Sequence, residues 1–117
     1  MIRRLAGLHA TRCRAVVLDG IVHAVATSPD KTGSTYEQTR LALAGIDGSL
    51  AEAGTDRTRV LTAMVYLSDM GQKPAMNRAW DEWASPDHPP MRACIGAALD
   101  GGTLVEIVVT ASVPDGA

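Results

Sequence analysis

The sequence predicts an α+β fold in which a β-sheet carries two helices on one face. The first observation behind this is an order of elements, ββαβαββ, in which short β-rich apolar runs alternate with two stretches of helical periodicity. The second is size. A chain of 117 residues suits one core that removes about two-thirds of its unfolded surface from water, so 1–117 is read as a single domain. The third is that VLTAMVYL and TLVEIVVTASV are apolar on both faces, as strands buried on both sides are. Two helices cover only one face of such a sheet. The pattern therefore expects a second copy of the chain, or a partner, on the other face.

Each element has its own signal. Residues 14–27, RAVVLDGIVHAVAT, form two β-rich runs around Asp19-Gly20, a hairpin turn pair, and a further strand has room before residue 9. Residues 28–35, SPDKTGST, are a polar loop. Ser34-Thr35-Tyr36-Glu37 has the S-x-x-E form of a capping box and opens a helix. Leu43, Ile46 and Leu50 follow at helical spacing, and Gly54 ends it. Residues 59–67 are a strand. Pro74 suits the first turn of a second helix, whose inner face holds Met76, Trp80 and Trp83. Residues 84–90, ASPDHPP, are a loop. The last strands, 91–99 and 103–111, are expected to pair as a hairpin around Asp100-Gly101-Gly102.

Composition narrows the function. Aromatic residues make up 3% of the chain, with no Phe, so aliphatic residues and Met fill the core. A net charge of −2, from 11 basic and 13 acidic residues, gives no overall electrostatic footprint for nucleic acid. No apolar run reaches the roughly 18 residues of a membrane span. The start, MIRRLAGLHATRCRAVV, has no continuous apolar stretch of the kind a signal peptide needs. Cys13 and Cys94 are expected as free thiols, and the protein is expected in the cytoplasm.

Few residues carry chemistry. Arg92 stands in HPPMRACIGAALDGG, an otherwise apolar stretch, and Glu106 is the only charge between Asp100 and Asp115. A carboxylate among Leu and Val is costly unless it is paired or hydrogen-bonded. Two readings are open: a structural Arg92–Glu106 pair across the expected hairpin, or a pocket. In the pocket, Arg92 holds a ligand carboxylate bidentately and Glu106 positions a water. Cys94 shares a strand face with Arg92, but no Cys/His/Asp constellation marks it as an activated nucleophile. His9, His23 and His88 lack metal-ligand spacing, so no metal is expected, and no glycine motif marks a phosphate-binding loop. Trp80 and Trp83 read as core, and Asn77 as exposed polar surface.

Nearly the whole chain resembles the RidA/YjgF family of enamine/imine deaminases. The resemblance is carried by YEQTRLALAGIDGSLAEAG, VLTAMVYLSDM and AMNRAWDEW, and most specifically by PPMRAC followed by LVEIVVTA. It implies a chorismate-mutase-like mixed sheet with two helices on one face, in a homotrimer whose bare sheet faces meet in a barrel-like core. It also implies ligand clefts between subunits and hydrolysis of 2-imino acids and enamines, such as 2-aminoacrylate and 2-iminobutanoate, to 2-keto acids and ammonia without a cofactor. By the resemblance Arg92 grips the substrate carboxylate and Asn77 lies near the cleft. Glu106 orients water, and Cys94 lines the cleft as a candidate catalytic residue.

The sequence also departs from that pattern. Residues 5–17 contain no tyrosine where the family's deaminases carry one, Val25-Ala26-Thr27 replaces an S-G-Q-like turn, and Val108 stands in place of a second glutamate. The segment between Arg92 and Glu106 is one residue shorter than the family's. His9, Arg12 and Arg14 are the residues available to line the altered rim. The alternative reading is a homotrimer that binds a small carboxylate in the same clefts without turning it over. RNA cleavage, proposed for relatives, is disfavoured by the mild acidity.

Overall fold

The computed structural model describes residues 1–114. Its six strands form one sheet in the order β1-β2-β3-β6-β4-β5, namely β1 (Arg3–His9), β2 (Arg12–Leu18), β3 (Ile21–Thr27), β4 (Val60–Leu67), β5 (Met91–Gly96) and β6 (Val105–Ser112). All neighbours are antiparallel except β4 and β5, which run parallel. The helices α1 (Thr35–Ala53) and α2 (Lys73–Trp83) lie side by side on one face. An extent of only 19 Å along the short axis leaves room for one helix layer over one sheet.

Local chemistry sets the elements. Asp19 and Gly20 both take positive φ, 52° and 77°, which matches the two-residue turn whose twist suits the flanking strands β2 and β3. Ser34 caps α1 by accepting the amide of Glu37 at 3.2 Å, while the Glu37 carboxylate turns to Arg40 instead of closing the capping box. At the other end Gly54 adopts φ 93°, and the amides of Gly54 and Thr55 return to the carbonyls of Ala51 and Leu50. Pro74 lies in the first turn of α2, as its missing N–H allows.

The core lies between the layers. Leu43, Ile46 and Leu50 of α1, and Met76, Trp80 and Trp83 of α2, bury against Val22, Val65, Ile107 and Val109 of the sheet. Each aliphatic side chain so buried contributes about 2 kcal/mol. Asp47 fastens the two helices by accepting from Trp83 Nε1 at 3.0 Å and from Arg57 Nη2 at 2.6 Å. The other sheet face has no helix on it. Val25 is 38% exposed there, and Ile21, Met64, Tyr66 and Val108 are half-buried. Among the described residues no helix is long and apolar enough to cross a membrane.

The expected closing hairpin does not form. β5 ends at Gly96 and β6 begins at Val105, and β4 lies between them, bonded to both. Residues 97–104 therefore cross the end of β4, with Ala97 and Ser68 amides donating to the carbonyls of Leu67 and Leu104. The physical reason is β4 itself. Its alternate residues Ala63, Val65 and Leu67 are buried under the helices, and its two ladders are most fully used with a strand on each side. The turn chemistry of Asp100-Gly101 is present, with Gly101 at φ 54°, but it serves the crossing rather than a hairpin.

The buried amide of Gln38 holds this crossing in place. Gln38 Nε2 donates to the carbonyls of Gly33 at 3.3 Å and Gly102 at 3.0 Å, and its Oε1 accepts the Leu104 amide at 2.9 Å. Gly102 passes so close to the Lys31 carbonyl that a Cβ there would sit 2.9 Å from its oxygen. The connection between the Arg92 strand and the Glu106 strand is thereby tied to α1.

Candidate functional site

Arg92 is the second residue of β5, which begins directly after Pro89-Pro90 on the edge of the sheet. The parallel register sets it beside Ala63, and Cys94 beside Val65. Ala63 and Val65 are buried beneath the helices, so Arg92 and Cys94 face the same layer. There Arg92 Nη2 donates to Asn77 Oδ1 at 2.8 Å, and Nη1 approaches Met76 Sδ at 3.6 Å. Its guanidinium lies 5.3 Å from the Trp80 ring centroid, within cation–π range. Positions 76 and 80 are one helical turn apart, so α2 presents sulfur and ring on one side and the Asn77 amide beside them.

All three supports are neutral. Among the described residues the ion pairs are Arg14–Glu52, Arg40–Glu37 and Arg57–Asp47, and Arg92 takes part in none of them. A half-buried guanidinium without a counter-ion keeps its charge and most of its five donors for a ligand. Cys94, two residues along, is a free thiol, half-buried and packed against the core.

Glu106 lies elsewhere. Its neighbours Val105 and Ile107 are fully buried under the helices, so Glu106 points to the opposite, helix-free face. Its cross-strand partners are Thr27 on β3 and Tyr66 on β4. Arg92 and Glu106 are thus separated by β4 and by the thickness of the sheet, so the first of the two readings, a structural pair across a hairpin, is not made. Glu106 lines a cavity of about 360 Å³ together with His9, Arg12, Cys13 and Arg14 at the tip of the β1–β2 hairpin and Val25 to Thr27 of β3.

The arrangement sorts the candidates into two half-sites. Arg92, Asn77 and Cys94 share the helix side of β5, where Met76 and Trp80 join them. Glu106 shares its cavity with the three rim candidates His9, Arg12 and Arg14. Asn77 is not free polar surface; it is the direct partner of Arg92. Trp80 is buried, as its helical spacing indicates, and also supports the guanidinium. The spacing of Met76 and Trp80 next to Asn77 was the available signal, but their apolar character pointed only to the core.

Comparison with known proteins places this geometry in a family. Residues 14–113 match the model described as Endoribonuclease L-PSP. A RutC family protein of Haemophilus ducreyi is 42% identical over 99 residues, covering 83% of this chain and 85% of its own length. The RutC family protein YoaB of Escherichia coli is 38% identical over 79 residues, 67% of this chain and 69% of its own. Among solved structures, a member of the YjgF protein family from Neisseria meningitidis superimposes with a TM-score of 0.92 at 37% identity, covering 98% of this chain and 97% of that one. With most of its length matched by both sequence and fold, the chain belongs to the RidA/YjgF family.

Proposed function

We propose that the protein is a cofactor-independent deaminase that hydrolyses 2-imino acids and their enamine tautomers to 2-keto acids and ammonia. The observation that carries this reading is the guanidinium of Arg92, held by Asn77, Met76 and Trp80 with no acidic partner among the described residues. In this reading Arg92 binds the substrate carboxylate bidentately and so fixes the adjacent imine carbon. Glu106 accepts a hydrogen bond from water and aims its oxygen at that carbon. The C–O bond forms as the imine nitrogen takes up a proton. The carbinolamine then collapses: the C–N bond breaks, ammonia leaves and the hydroxyl proton is lost as the C=O forms. No electrons are exchanged with a third component.

Because Arg92 and Glu106 face opposite sides of one sheet, a site that uses both requires two copies of the chain. The helix-free sheet face, with Val25 and Val108 paired across β3 and β6, is the surface on which copies would pack, and a homotrimer is proposed. The family description also names RNA cleavage. With 11 basic and 13 acidic residues the chain as a whole has no net positive charge to attract a polyphosphate, which favours the carboxylate reading.

The test is hydrolysis of 2-iminobutanoate and 2-aminoacrylate, each generated in situ by a separate enzyme, with wild type beside Arg92→Ala at matched oligomeric mass. Acceleration by the wild type that is lost in the variant supports the deaminase. Binding of a 2-keto acid without acceleration moves the reading to a carboxylate-binding protein. Equal acceleration by both proteins removes Arg92 from the site.

A further inference from the structure

The cavity around Glu106 has a cationic wall that hydrolysis of a simple monocarboxylic imine leaves unused. The first 18 residues hold four arginines and no acidic residue, in a chain whose net charge is −2. Two of the four are already engaged. Arg3 donates to the Glu52 carbonyl at 2.7 Å, and Arg14 bonds the Ala6 carbonyl, the Ser49 hydroxyl and the Glu52 carboxylate. Arg12 is different. It is exposed, its guanidinium meets only the hydroxyl of its neighbour Thr11, at 3.5 Å, and it lines the same cavity as Glu106. Lys31 adds a second cation nearby, with Nζ donating at 3.1 Å to Thr27, the cross-strand partner of Glu106.

We propose that Arg12 is a specificity-determining residue and that the preferred ligand is a dicarboxylic 2-imino acid, with its first carboxylate on Arg92 and its second on Arg12. This rests on the reading in which Arg92 of one copy and Glu106 of another share a cleft. Arg12 lines the cavity with no ion-pair partner among the described residues, and Lys31 bonds Thr27 of the lining, so a second ligand carboxylate would meet a free guanidinium there. A planar guanidinium fork matches a carboxylate in two parallel hydrogen bonds, which fixes the far end of the ligand as Arg92 fixes the near end. The cavity of about 360 Å³ has room for the longer acid. A monocarboxylic imine would leave the fork on water.

The experiment compares binding of 2-oxoglutarate and 2-oxopentanoate, product analogues with the same five-carbon chain that differ in the terminal carboxylate, by calorimetry on the full-length protein. The wild type is expected to bind 2-oxoglutarate about tenfold more tightly, the range of one charge-assisted hydrogen-bond pair. In Arg12→Gln that ratio is expected to fall to near unity. Arg40→Gln, the same charge change on the outer side of α1, is expected to keep it. A wild type that binds the two acids equally overturns the proposal, as does a preference that survives in Arg12→Gln. Loss of both acids in Arg92→Ala then shows that the underlying reading stands on its own. Failure of the wild type to bind either acid sinks the reading and the proposal together.

Discussion

The Arg92 guanidinium donates to a neutral acceptor, Asn77 Oδ1 at 2.8 Å, where a carboxylate would be the usual partner for a half-buried arginine. The choice of Asn keeps the arginine oriented without cancelling its charge. Asn77→Asp is nearly isosteric and supplies the missing counter-ion. It is expected to weaken binding of 2-oxobutanoate about tenfold or more, with little effect on the urea midpoint. Calorimetric titration checks this. Unchanged affinity would mean that Arg92 does not meet the ligand carboxylate.

Gln38 holds residues 97–104 from beneath, and its three hydrogen bonds are all to backbone. Gln38→Leu strands a buried amide and two carbonyls, and is expected to cost about 2–4 kcal/mol in urea denaturation. Gly102→Ala presses a Cβ against the Lys31 carbonyl and is expected to destabilise by about 1–3 kcal/mol. Gln38 lies far in sequence from Arg92 and Glu106, and both changes act on the segment that joins their strands. Wild-type stability in either variant would remove that segment's anchoring role.

What the sequence made legible was local. Asp19-Gly20, Ser34, Gly54 and Pro74 each act within a few residues, and each lies where its own chemistry requires. Strand order is not local. Asp100-Gly101-Gly102 looked like a hairpin turn because turn residues report a change of direction, not which strand comes next. The two-sided apolar pattern of VLTAMVYL was the better guide, since a strand apolar on both faces belongs inside the sheet. Placing β4 there moves Glu106 one strand away from Arg92 and to the other face. The chemistry-bearing residues were visible individually, but their division into two half-sites depends on register, which no single segment encodes.

Acid stability has a local origin too. Asp56 caps the turn before β4, and hydrogen bonds from the Thr58 hydroxyl and then the Thr58 amide hold its carboxyl below the ordinary 3.8. Asp30 is lowered in the same way, by the Thr32 hydroxyl and then its amide. A folded-state pKa below the unfolded value adds stability that is present above pH 3.8 and lost as pH falls through the folded value. Asp56→Asn is therefore expected to show a shallower decline in urea midpoint than wild type below about pH 4. Parallel acid profiles for the two proteins would show that these hydrogen bonds carry no linkage.

The opposite facing of Arg92 and Glu106 gives the proposed cleft its most direct test. If each cleft takes Arg92 from one copy and Glu106 from another, Arg92→Ala and Glu106→Gln proteins are each inactive in 2-iminobutanoate hydrolysis. A mixed oligomer is not. Wherever a Glu106→Gln copy supplies the arginine and an Arg92→Ala copy supplies the glutamate, the cleft is wild type. Random assembly of equal amounts produces that combination in about a quarter of clefts, so co-refolded protein is expected to regain about a quarter of wild-type activity. The recovered activity should appear only after subunits have been exchanged by unfolding and refolding, and not on simple mixing of stable oligomers. Intragenic pairing provides the contrast: a chain carrying both substitutions, mixed with wild type, dilutes activity without restoring any. If the two single variants remain inactive after co-refolding while forming mixed oligomers, Arg92 and Glu106 do not serve a common cleft, and the water-orienting role of Glu106 falls.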